Sequence, residues 1–367
     1  RDQEAFVSSS FQNRYKADLR EMRFLMFEQF NLEPLLAKEP FEAWAKDTCE
    51  MVLDESLNFC GEVRGPLNAV VDREGCRLED GRLKTPTGFK DAWDRLYQAG
   101  WKTLSVDPEF DGQGAPYMLT CAVEEFLCGA NPAFNMYPGL AHGAAEVIGH
   151  FGTKRQKELY VRRMCHGEWR RTMCLTEPHA GSDVGSARTS AKKLRDGRYS
   201  ITGTKIYISG GDQDFTDNVV HLVLARVEGA PLGTKGLSLF IVPAVNVNDD
   251  GSLGERNDVN VGSIEHKMGI NGNATCVLNF GENESCIGEL VGEAENVGIQ
   301  QMFMMMNSAR IGVGLQGVSV GSEAYLSARE HGRDRKQGAR GRTTHADRDE
   351  GARGGAARPD HEARSPQ

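Results

Sequence analysis

The segment at residues 174–186, CLTEPHAGSDVGS, concentrates small and hydroxyl-bearing residues between two apolar stretches. It offers hydroxyl groups at Thr176 and Ser182 and a glycine at Gly181. Glycine reaches backbone dihedrals that other residues avoid, and consecutive main-chain N–H groups in such a segment form an anion-binding concavity. The segment therefore predicts a site for a phosphate or for the polar edge of a heterocycle. The alternative interpretation is a loop that connects two domains.

Other residues with chemical potential are interpreted as structural. His179, His221 and His266 have no partners at metal-ligand spacing, so we predict no metal site. The methionine run at residues 302–306 fits helical spacing and indicates core packing rather than ligation. The nine cysteines are scattered without a C-x-x-C pair, which is typical of reduced thiols in a cytoplasmic protein.

Composition narrows the class of protein. The chain has 367 residues, of which 39% are hydrophobic and 26% charged, as expected for a soluble protein of two or three packed units. Its formal net charge of -9 argues against nonspecific nucleic-acid binding. No apolar run is long enough to span a bilayer, so we predict no membrane association. The chain starts without a hydrophobic signal core or an initiating Met, which leaves open a cut or misassigned N-terminus.

The elements that must position these residues follow from hydrophobic spacing. Residues 15–169 show helical periodicity after a short extension at 1–14. Residues 170–290 change to short β-branched and aromatic segments between turns, without the helical spacers that would suggest a parallel sheet. Helical spacing returns at 291–332. The sequence thus predicts an α+β protein with a helical domain, a β domain and a second, incomplete helical domain.

The end of the chain has a different composition. From residue 331 to residue 367 there is no Val, Ile, Leu, Met, Phe, Trp, Tyr or Cys. Such a segment cannot bury enough apolar surface to offset its ordering entropy, so we predict a disordered tail at 333–367. It is either a natural polar tail or the frameshifted end of a gene from a GC-rich genome.

Motifs along most of the chain resemble those of the acyl-CoA dehydrogenase flavoproteins. MCLTEPHAGSDVGS is similar to the family signature, and GWKTLSVDPEFDGQGAP, GTKIYISGG and HKMGINGNATCVLNF resemble other family segments. The resemblance covers residues 15–338. It implies a helical N-terminal domain, a middle β-barrel or sandwich, and a C-terminal helical domain of which only the beginning is present. YKADLREMRF and SIEHKMGI look more like the branch of 3-methylmercaptopropionyl-CoA dehydrogenases.

The resemblance also implies a cofactor, FAD, and residues that contact it. Thr176 would hydrogen-bond the flavin ring, and Ser182 would reach an FAD phosphate near the CoA arm. Tyr207 would lie beside the flavin, and Ser209 would contact the ring near its reactive nitrogen. Glu177 is implied to have a structural role. The full set of cofactor-binding residues implied is Cys174, Thr176, Gly181, Ser182, Tyr207, Ser209, Arg335 and Gln337.

The resemblance implies an acyl-CoA substrate that Ser182, Asn307 and Arg310 contact. An exposed or interhelical ion pair is the alternative role for Arg310. The reaction needs a carboxylate base, yet the family's Tyr-Glu-Gly-Thr type motif is absent and Ala309 occupies the alternative position. We therefore assign no catalytic residue and expect impaired turnover.

Partners follow from the same resemblance. It implies an electron-transferring flavoprotein as electron acceptor and a homo-oligomer, which the incomplete C-terminal domain puts in doubt. Two alternative functions stay open: a flavin acyl-CoA oxidase, and a non-catalytic protein of this fold that binds flavin or associates with DNA. Asp and Glu interspersed among the Arg residues of the tail, and the lack of aromatic residues there, argue against nucleic-acid binding.

Overall fold

The computed structural model describes residues 15–353, apart from the side chains of residues 140–142 and 333–353. Helices make up most of the first part of the chain. Their bounds are Leu19–Arg23 (α1), Glu33–Leu36 (α2), Lys46–Phe59 (α3), Gly65–Glu74 (α4), Phe89–Gln98 (α5), Tyr117–Ala130 (α6), Pro132–Phe151 (α7), Lys154–Gln156 (α8) and Arg162–Cys165 (α9). Wider π-helical turns lie at Phe24–Gln29, Cys60–Arg64 and Lys157–Val161, and a 3-10 turn lies at Pro108–Phe110.

Helix α5 illustrates how apolar spacing builds the first core. Phe89, Trp93 and Leu96 recur at three- and four-residue intervals and are all buried. This spacing places them on one helix face, where each contributes about 1.5–3 kcal/mol by leaving water. The indole Nε1 of Trp93 donates to the carbonyl of Gly167 at 2.9 Å. Helix α5 is thereby fixed against the turn that precedes the β domain.

A short β-hairpin interrupts the helical unit, and the sequence analysis missed it. Strands Arg77–Glu79 (β1) and Arg82–Lys84 (β2) pair antiparallel. The turn residues Asp80 and Gly81 have φ values of 49° and 73°. An Asp-Gly pair favours the tight turn of a β-hairpin, so this dipeptide could have predicted the hairpin. The strands themselves are too short to show an alternating pattern.

The β domain is one large sheet with a small separate ribbon. Its strands are Trp169–Cys174 (β3), Ser190–Lys193 (β4), Tyr199–Ser209 (β5), Asn218–Val227 (β6), Leu237–Pro243 (β7), Val259–Ile264 (β10), Thr275–Phe280 (β11) and Ile287–Leu290 (β12). They lie in the order β10-β11-β5-β12-β7-β6-β3, with β4 beside β5 and β6. The ribbon pairs Val245–Val247 (β8) with Leu253–Arg256 (β9).

Two strand pairs are parallel, contrary to what the missing helical spacers suggested. Strand β3 runs parallel to β6, from Trp169 beside Asn218 to Cys174 beside Val223. Strand β4 also pairs parallel with β6, at Ser190 and Ala191. A parallel pair needs a long crossover connection. Here the connection consists of a loop and two strands, so no helical pattern marks it in the sequence.

The last helix, Gly298–Arg353 (α10), packs against α6, α7 and β7. Met302 and Met305 are 5% and 2% exposed, which confirms that they are core residues. Several other apolar residues of α10 are exposed: Phe303, Ile311, Val313, Val318, Val320 and Tyr325. The helical backbone runs into the segment predicted as a disordered tail. The helix includes residues 333–353 of the segment predicted to be disordered, and residues 354–367 lie outside the described residues, so the disorder of the tail stays a prediction.

Within the described part of the chain, no helix is both long and apolar enough to cross a membrane.

Candidate functional site

The loop after strand β3 carries the hydroxyl and glycine residues that the sequence singles out. Gly181 and Ser182 are exposed and Thr176 is half-buried, so a ligand can reach all three. Cys174 differs, because its side chain is completely buried in the core of the β domain. Its Sγ lies 3.4 Å from Thr172 Oγ1. Any contact between Cys174 and a ligand would therefore involve the main chain.

Glu177 anchors this loop from inside the protein. Its carboxylate accepts hydrogen bonds from the main-chain N of Arg188 at 2.7 Å and from Thr189 Oγ1 at 2.6 Å. The ammonium of Lys205 on strand β5 donates to Glu177 Oε1 at 2.8 Å. Burial alone would raise the pKa of Glu177, but the charge and hydrogen bond of Lys205 outweigh it and lower the pKa to about 2. This ionised, structural carboxylate agrees with the role that the resemblance implies.

Lys205 ties the other side of the loop to the sheet. Its ammonium also donates to the carbonyl of Leu175 at 2.9 Å, and its side chain is fully buried. The next residue on the strand, Ile206, donates its main-chain N–H to the carbonyl of Thr176 at 2.9 Å. These contacts hold the loop against strand β5. Thr176 is hydrogen-bonded to Ile206, the residue that precedes Tyr207 on the strand.

A second set of contacts fixes the far end of the loop. Asp183 accepts from the main-chain N of Gly185 at 3.1 Å and from the hydroxyl of Ser186. Arg226 Nη2 on strand β6 donates to the carbonyl of Gly185 at 2.8 Å. A Cβ at Gly185 would lie 3.1 Å from the main-chain N of Thr234. The close approach of these two segments therefore favours glycine at this position.

Tyr207 is presented in an unusual conformation. It has a φ of 60°, which is rare for a residue with a side chain, and it is 61% exposed. The pairing of β5 with β11 shifts register here, between Cys276 and Leu278. Left-handed non-glycine residues cost about 1–3 kcal/mol and concentrate at functional sites. The bulge therefore turns an aromatic ring outwards at the end of the strand, two residues before the half-buried Ser209.

The residue after Ser209, Gly210, is contacted by a buried arginine that the sequence analysis missed. Arg170 on strand β3 is 0% exposed and donates to the carbonyl of Gly210 at 3.2 Å. Its guanidinium lies over Tyr137, 4.5 Å from the ring centroid, and 5.8 Å from that of Trp93. Burial lowers the pKa of Arg170 to about 10, so it stays cationic near neutral pH. Two adjacent arginines, Arg170 and Arg171, at the start of the first strand of the β domain were the available signal.

The predicted substrate residues lie on helix α10. Asn307 and Arg310 are exposed, and Arg310 Nη1 approaches Asn307 Oδ1 at 3.5 Å. The guanidinium also lies 5.8 Å from the ring centroid of Phe303. Among the described residues, no hydrogen bond or ion pair joins Asn307 or Arg310 to the loop after β3. Arg335 and Gln337 lie on the part of α10 whose side chains are outside the description.

A cavity of about 150 Å³ lies between helices α6, α7 and α10, and we call it the chamber. One face of each helix lines it, together with the segment before α6. The lining residues are Trp101, Lys102, Ser105, Tyr117, Thr120, Cys121, Glu124, Cys128, Pro132, Asn135, Met136, Gly139, Ser308, Ala309, Ile311, Gly312, Val313, Leu315 and Gln316. Ala309, which occupies the alternative base position, is therefore part of the wall.

The chamber contains a buried ion pair. Lys102 contacts Glu124, whose second oxygen accepts from Asn135 Nδ2 at 3.2 Å. Asn135 Oδ1 in turn accepts from Arg64 at 3.1 Å. Burial would raise the pKa of Glu124, but the neighbouring Lys102 charge outweighs it and keeps that pKa below its ordinary value. Glu124 is thus an engaged carboxylate rather than a free base.

The loop and the end of strand β5 offer a donor set that fits a flavin nucleotide. The exposed hydroxyl of Ser182 and the exposed Gly181, which has no side chain, suit a phosphate, and the exposed ring of Tyr207 suits a planar heterocycle. Glu177 and Lys205 hold the loop and strand β5 in fixed positions relative to each other, and a ligand site requires such preorganisation.

Comparisons with known proteins identify similar domains in both parts of the chain. The model of the acyl-CoA dehydrogenase N-terminal domain matches residues 47–168, and the model of the acyl-CoA dehydrogenase middle domain matches residues 172–282. A 3-methylmercaptopropionyl-CoA dehydrogenase from Ruegeria pomeroyi is 39% identical over 88% of this chain and 54% of its own length. The chain thus spans about half the length of the curated relatives it matches.

Solved structures share the fold. Butyryl-CoA dehydrogenase from Megasphaera elsdenii superposes with a TM-score of 0.63 at 23% identity, covering 78% of this chain and 69% of that one. An acyl-CoA dehydrogenase from Bacillus anthracis, solved in complex with FAD, gives a TM-score of 0.59 at 23% identity, covering 76% and 42% respectively.

Proposed function

Because the chain belongs to the acyl-CoA dehydrogenase family, we propose that it binds FAD between the loop at residues 174–189 and the end of strand β5. The observation that carries the proposal is the buried contact between Glu177 and Lys205, which holds Thr176 beside the strand that presents Tyr207. We further propose that an acyl-CoA thioester binds beside this flavin and is oxidised to the enoyl-CoA by the whole protein.

Each residue of the flavin site has a proposed role. Thr176 and Ser209 would hydrogen-bond the ring edge, Tyr207 would cover a ring face, and Gly181 with Ser182 would receive a phosphate. Bound FAD would supply the hydride acceptor for oxidation of the bond between the α- and β-carbons of the thioester. The protein's own part is to orient the two molecules and exclude water between them. Arg335 and Gln337 remain predicted FAD contacts.

The substrate contacts are proposed on helix α10 and the loop. Arg310 is an exposed cation that can pair with a phosphate of CoA, and Asn307 and Ser182 can donate to the remaining polar groups. We propose a short acyl chain such as 3-methylmercaptopropionyl, after the substrate in the name of the Ruegeria relative.

Among the described residues, the proposed site lacks a free carboxylate that could remove the proton from the thioester. Position 309 is an alanine, and Glu124, a carboxylate that lines the chamber, is paired with Lys102. We therefore propose that the 367-residue chain binds flavin and thioester but turns over slowly. An electron-transferring flavoprotein as electron acceptor, a homo-oligomeric state and a cytoplasmic location are parts of the same proposal.

The test is the absorbance of the purified chain before and after anaerobic addition of 3-methylmercaptopropionyl-CoA. A yellow protein with a flavin spectrum supports the FAD site, and Glu177→Ala should reduce its flavin content. A colourless, folded chain that takes up no added FAD would contradict the site. Rapid bleaching by the thioester would support dehydrogenation and contradict slow turnover.

A further inference from the structure

Arg170 is a buried cation that no carboxylate neutralises within the described part of the chain. Its side chain is 0% exposed, and its Nη2 donates to the carbonyl of Gly210 at 3.2 Å. Among the described residues, its Nε and Nη1 have no hydrogen-bond partner and no ion pair reaches it. A buried charge without a partner is costly, and such groups are rare in native structures. The charge of Arg170 therefore calls for a functional explanation.

The groups that act most strongly on the charge of Arg170 do not cancel it. They are two tyrosines, a cysteine and a second arginine, namely Tyr137, Tyr97, Cys276 and Arg171. Burial raises the pKa of Tyr97 and that of Cys276 to about 12, and it raises the pKa of Tyr137 well above its ordinary value. These three groups are therefore neutral near neutral pH, and Arg171 carries the same sign as Arg170. Because water does not reach the guanidinium, its charge is screened little.

Gly210 connects this charge to the candidate flavin site. Its N–H donates to the carbonyl of Ala274 at 2.7 Å, while its own carbonyl accepts from Arg170. A Cβ at Gly210 would clash with Arg170 Nη2, so the contact requires a glycine here. Ser209 is the preceding residue. A ring that Ser209 contacts would lie within roughly 10 Å of the guanidinium, the reach of one residue and two hydrogen bonds.

We propose that the buried charge of Arg170 raises the reduction potential of FAD bound beside Ser209. This inference rests on the proposed function, since it takes FAD to bind at the end of strand β5. Reduction of the flavin by two electrons with uptake of one proton gives the ring one additional negative charge. A cation that the fold holds in place stabilises this charge without any reorganisation. Arg170 would thus favour the reduced cofactor over the neutral, oxidised one.

Coulomb's law sets the size of the effect. At a separation of roughly 10 Å and an effective dielectric constant of ~20, two unit charges shift an equilibrium about tenfold. The shift applies to the reduced cofactor alone, because the oxidised ring carries no charge. By linkage, the factor between the affinities for reduced and oxidised FAD equals the shift in the redox equilibrium. For a two-electron couple, a tenfold shift corresponds to about 30 mV in midpoint potential.

The experiment is an anaerobic redox titration of the FAD-loaded, 367-residue chain against a reference dye, with FAD affinities measured in both redox states. We expect the unmodified chain to bind reduced FAD about tenfold more tightly than oxidised FAD. Arg170→Met should abolish this difference, lower the midpoint potential by about 30 mV and leave the affinity for oxidised FAD unchanged. Arg170→Gln should act in the same way, because it keeps an N–H donor for the carbonyl of Gly210 but not the charge.

Arg171→Met is the matched control. Arg171 is the adjacent residue on strand β3 and is 3% exposed, so its replacement also removes a buried guanidinium. Successive side chains of a strand point to opposite faces, which directs Arg171 away from the face of Arg170. The carboxylate of Glu146 also counteracts its charge. This variant should keep the midpoint potential of the unmodified chain.

Four results would overturn the inference alone. The first is equal affinity of the unmodified chain for oxidised and reduced FAD, which decides the question even where no variant folds. An equal loss of both affinities in Arg170→Met would assign Arg170 to structural support. An unchanged potential in Arg170→Gln would assign the effect to the hydrogen bond with Gly210, and an equal shift in Arg171→Met would remove the dependence on position. If the folded, unmodified chain binds FAD in neither redox state, the proposed function itself fails.

Discussion

Glu177 Oε1 lies 2.8 Å from Lys205 Nζ, and the two side chains are 2% and 0% exposed. The pair connects the loop after β3 to strand β5 across 28 residues of sequence. Burying two charges is costly unless the remaining polar atoms also find partners. Here the carbonyl of Leu175 and the donors of Arg188 and Thr189 complete the network. The position of the candidate flavin site therefore depends on this ion pair.

Removing the carboxylate should destabilise the fold strongly. In Glu177→Ala, Lys205 would stay buried without its charge partner, which typically costs about 3–5 kcal/mol. Urea unfolding gives the change in the free energy of unfolding. The matched control is Asp94→Ala, which breaks an exposed pair with Lys90 whose side chains are 46% and 68% exposed. That change should stay within about 1 kcal/mol, and equal losses in both variants would contradict the role of the buried pair.

The same carboxylate should make stability depend on pH in the acid range. The pKa of Glu177 in the folded protein is about 2, below the ordinary value of 4.5. The ionised form therefore stabilises the fold fully above about pH 4.5, and this contribution of about 3 kcal/mol is lost as the pH falls towards 2. Unfolding free energies of the unmodified chain and of Glu177→Gln should converge over this window. Parallel pH profiles would show that another group dominates.

The sequence predicts the order of helical and β segments because hydrophobic periodicity is local. Helix α5 is visible from the spacing of its apolar residues, and strand β7 from its β-branched and aromatic composition. The loop at residues 174–186 is recognisable from composition and from its resemblance to a known signature. The ion pair of Glu177 with Lys205 is not recognisable from the sequence, because it depends on which strand of the sheet packs beneath the loop.

Other features were hidden for different reasons. The left-handed conformation of Tyr207 arises from a register shift against β11, and no tyrosine pattern encodes it. The role of Arg170 depends on Tyr137 and Trp93, which come from two distant helices. The parallel pairing of β3 with β6 lacked the usual helical crossover. By contrast, the Asp80-Gly81 hairpin carried a recognisable dipeptide and could have been predicted.

Tyr207 offers a test that separates backbone strain from ligand binding. In Tyr207→Gly, glycine adopts the positive φ without strain, and the lost ring is 61% exposed. We therefore expect a change in unfolding free energy within about 1 kcal/mol, together with weaker FAD binding by fluorescence titration. The control is Tyr199→Gly on the same strand, where the ring is 2% exposed. It should cost at least about 3 kcal/mol.

A loss of stability in Tyr207→Gly as large as in Tyr199→Gly would show that the exposed ring supports the fold. Unchanged FAD affinity in a stable Tyr207→Gly variant would instead remove Tyr207 from the flavin site.

Tyr137 should support the site through one buried hydrogen bond. Its hydroxyl accepts from the main-chain N of Ala274 at 3.2 Å, and the carbonyl of Ala274 accepts from the N–H of Gly210 at 2.7 Å. Tyr137→Phe would leave a buried N–H unsatisfied, at a cost of about 1–3 kcal/mol in unfolding free energy. Tyr325→Phe is the control, since Tyr325 is 63% exposed. A cost in the control equal to that in Tyr137→Phe would refute the argument.

Arg310 should act on the ligand and leave the fold unchanged. Its guanidinium is exposed, and its described contacts are one long approach to Asn307 and a distant ring. In Arg310→Ala, the free energy of unfolding should change by less than about 0.5 kcal/mol. The affinity for CoA thioesters should fall roughly ten- to a hundredfold, because a hydrogen bond to a charged phosphate is lost.

Salt dependence and a second arginine make the Arg310 test specific. Raising the ionic strength should weaken thioester binding to the unmodified chain more than to Arg310→Ala, since screening acts on the charge that the variant lacks. Arg329→Ala is the matched control, because Arg329 is exposed on the same helix beside Tyr325. If both variants lose affinity equally, the general charge of helix α10 attracts the ligand. If only Arg310→Ala loses affinity, the position of Arg310 next to Ala309 in the chamber wall matters, because the two arginines carry the same charge and differ in their place along the helix.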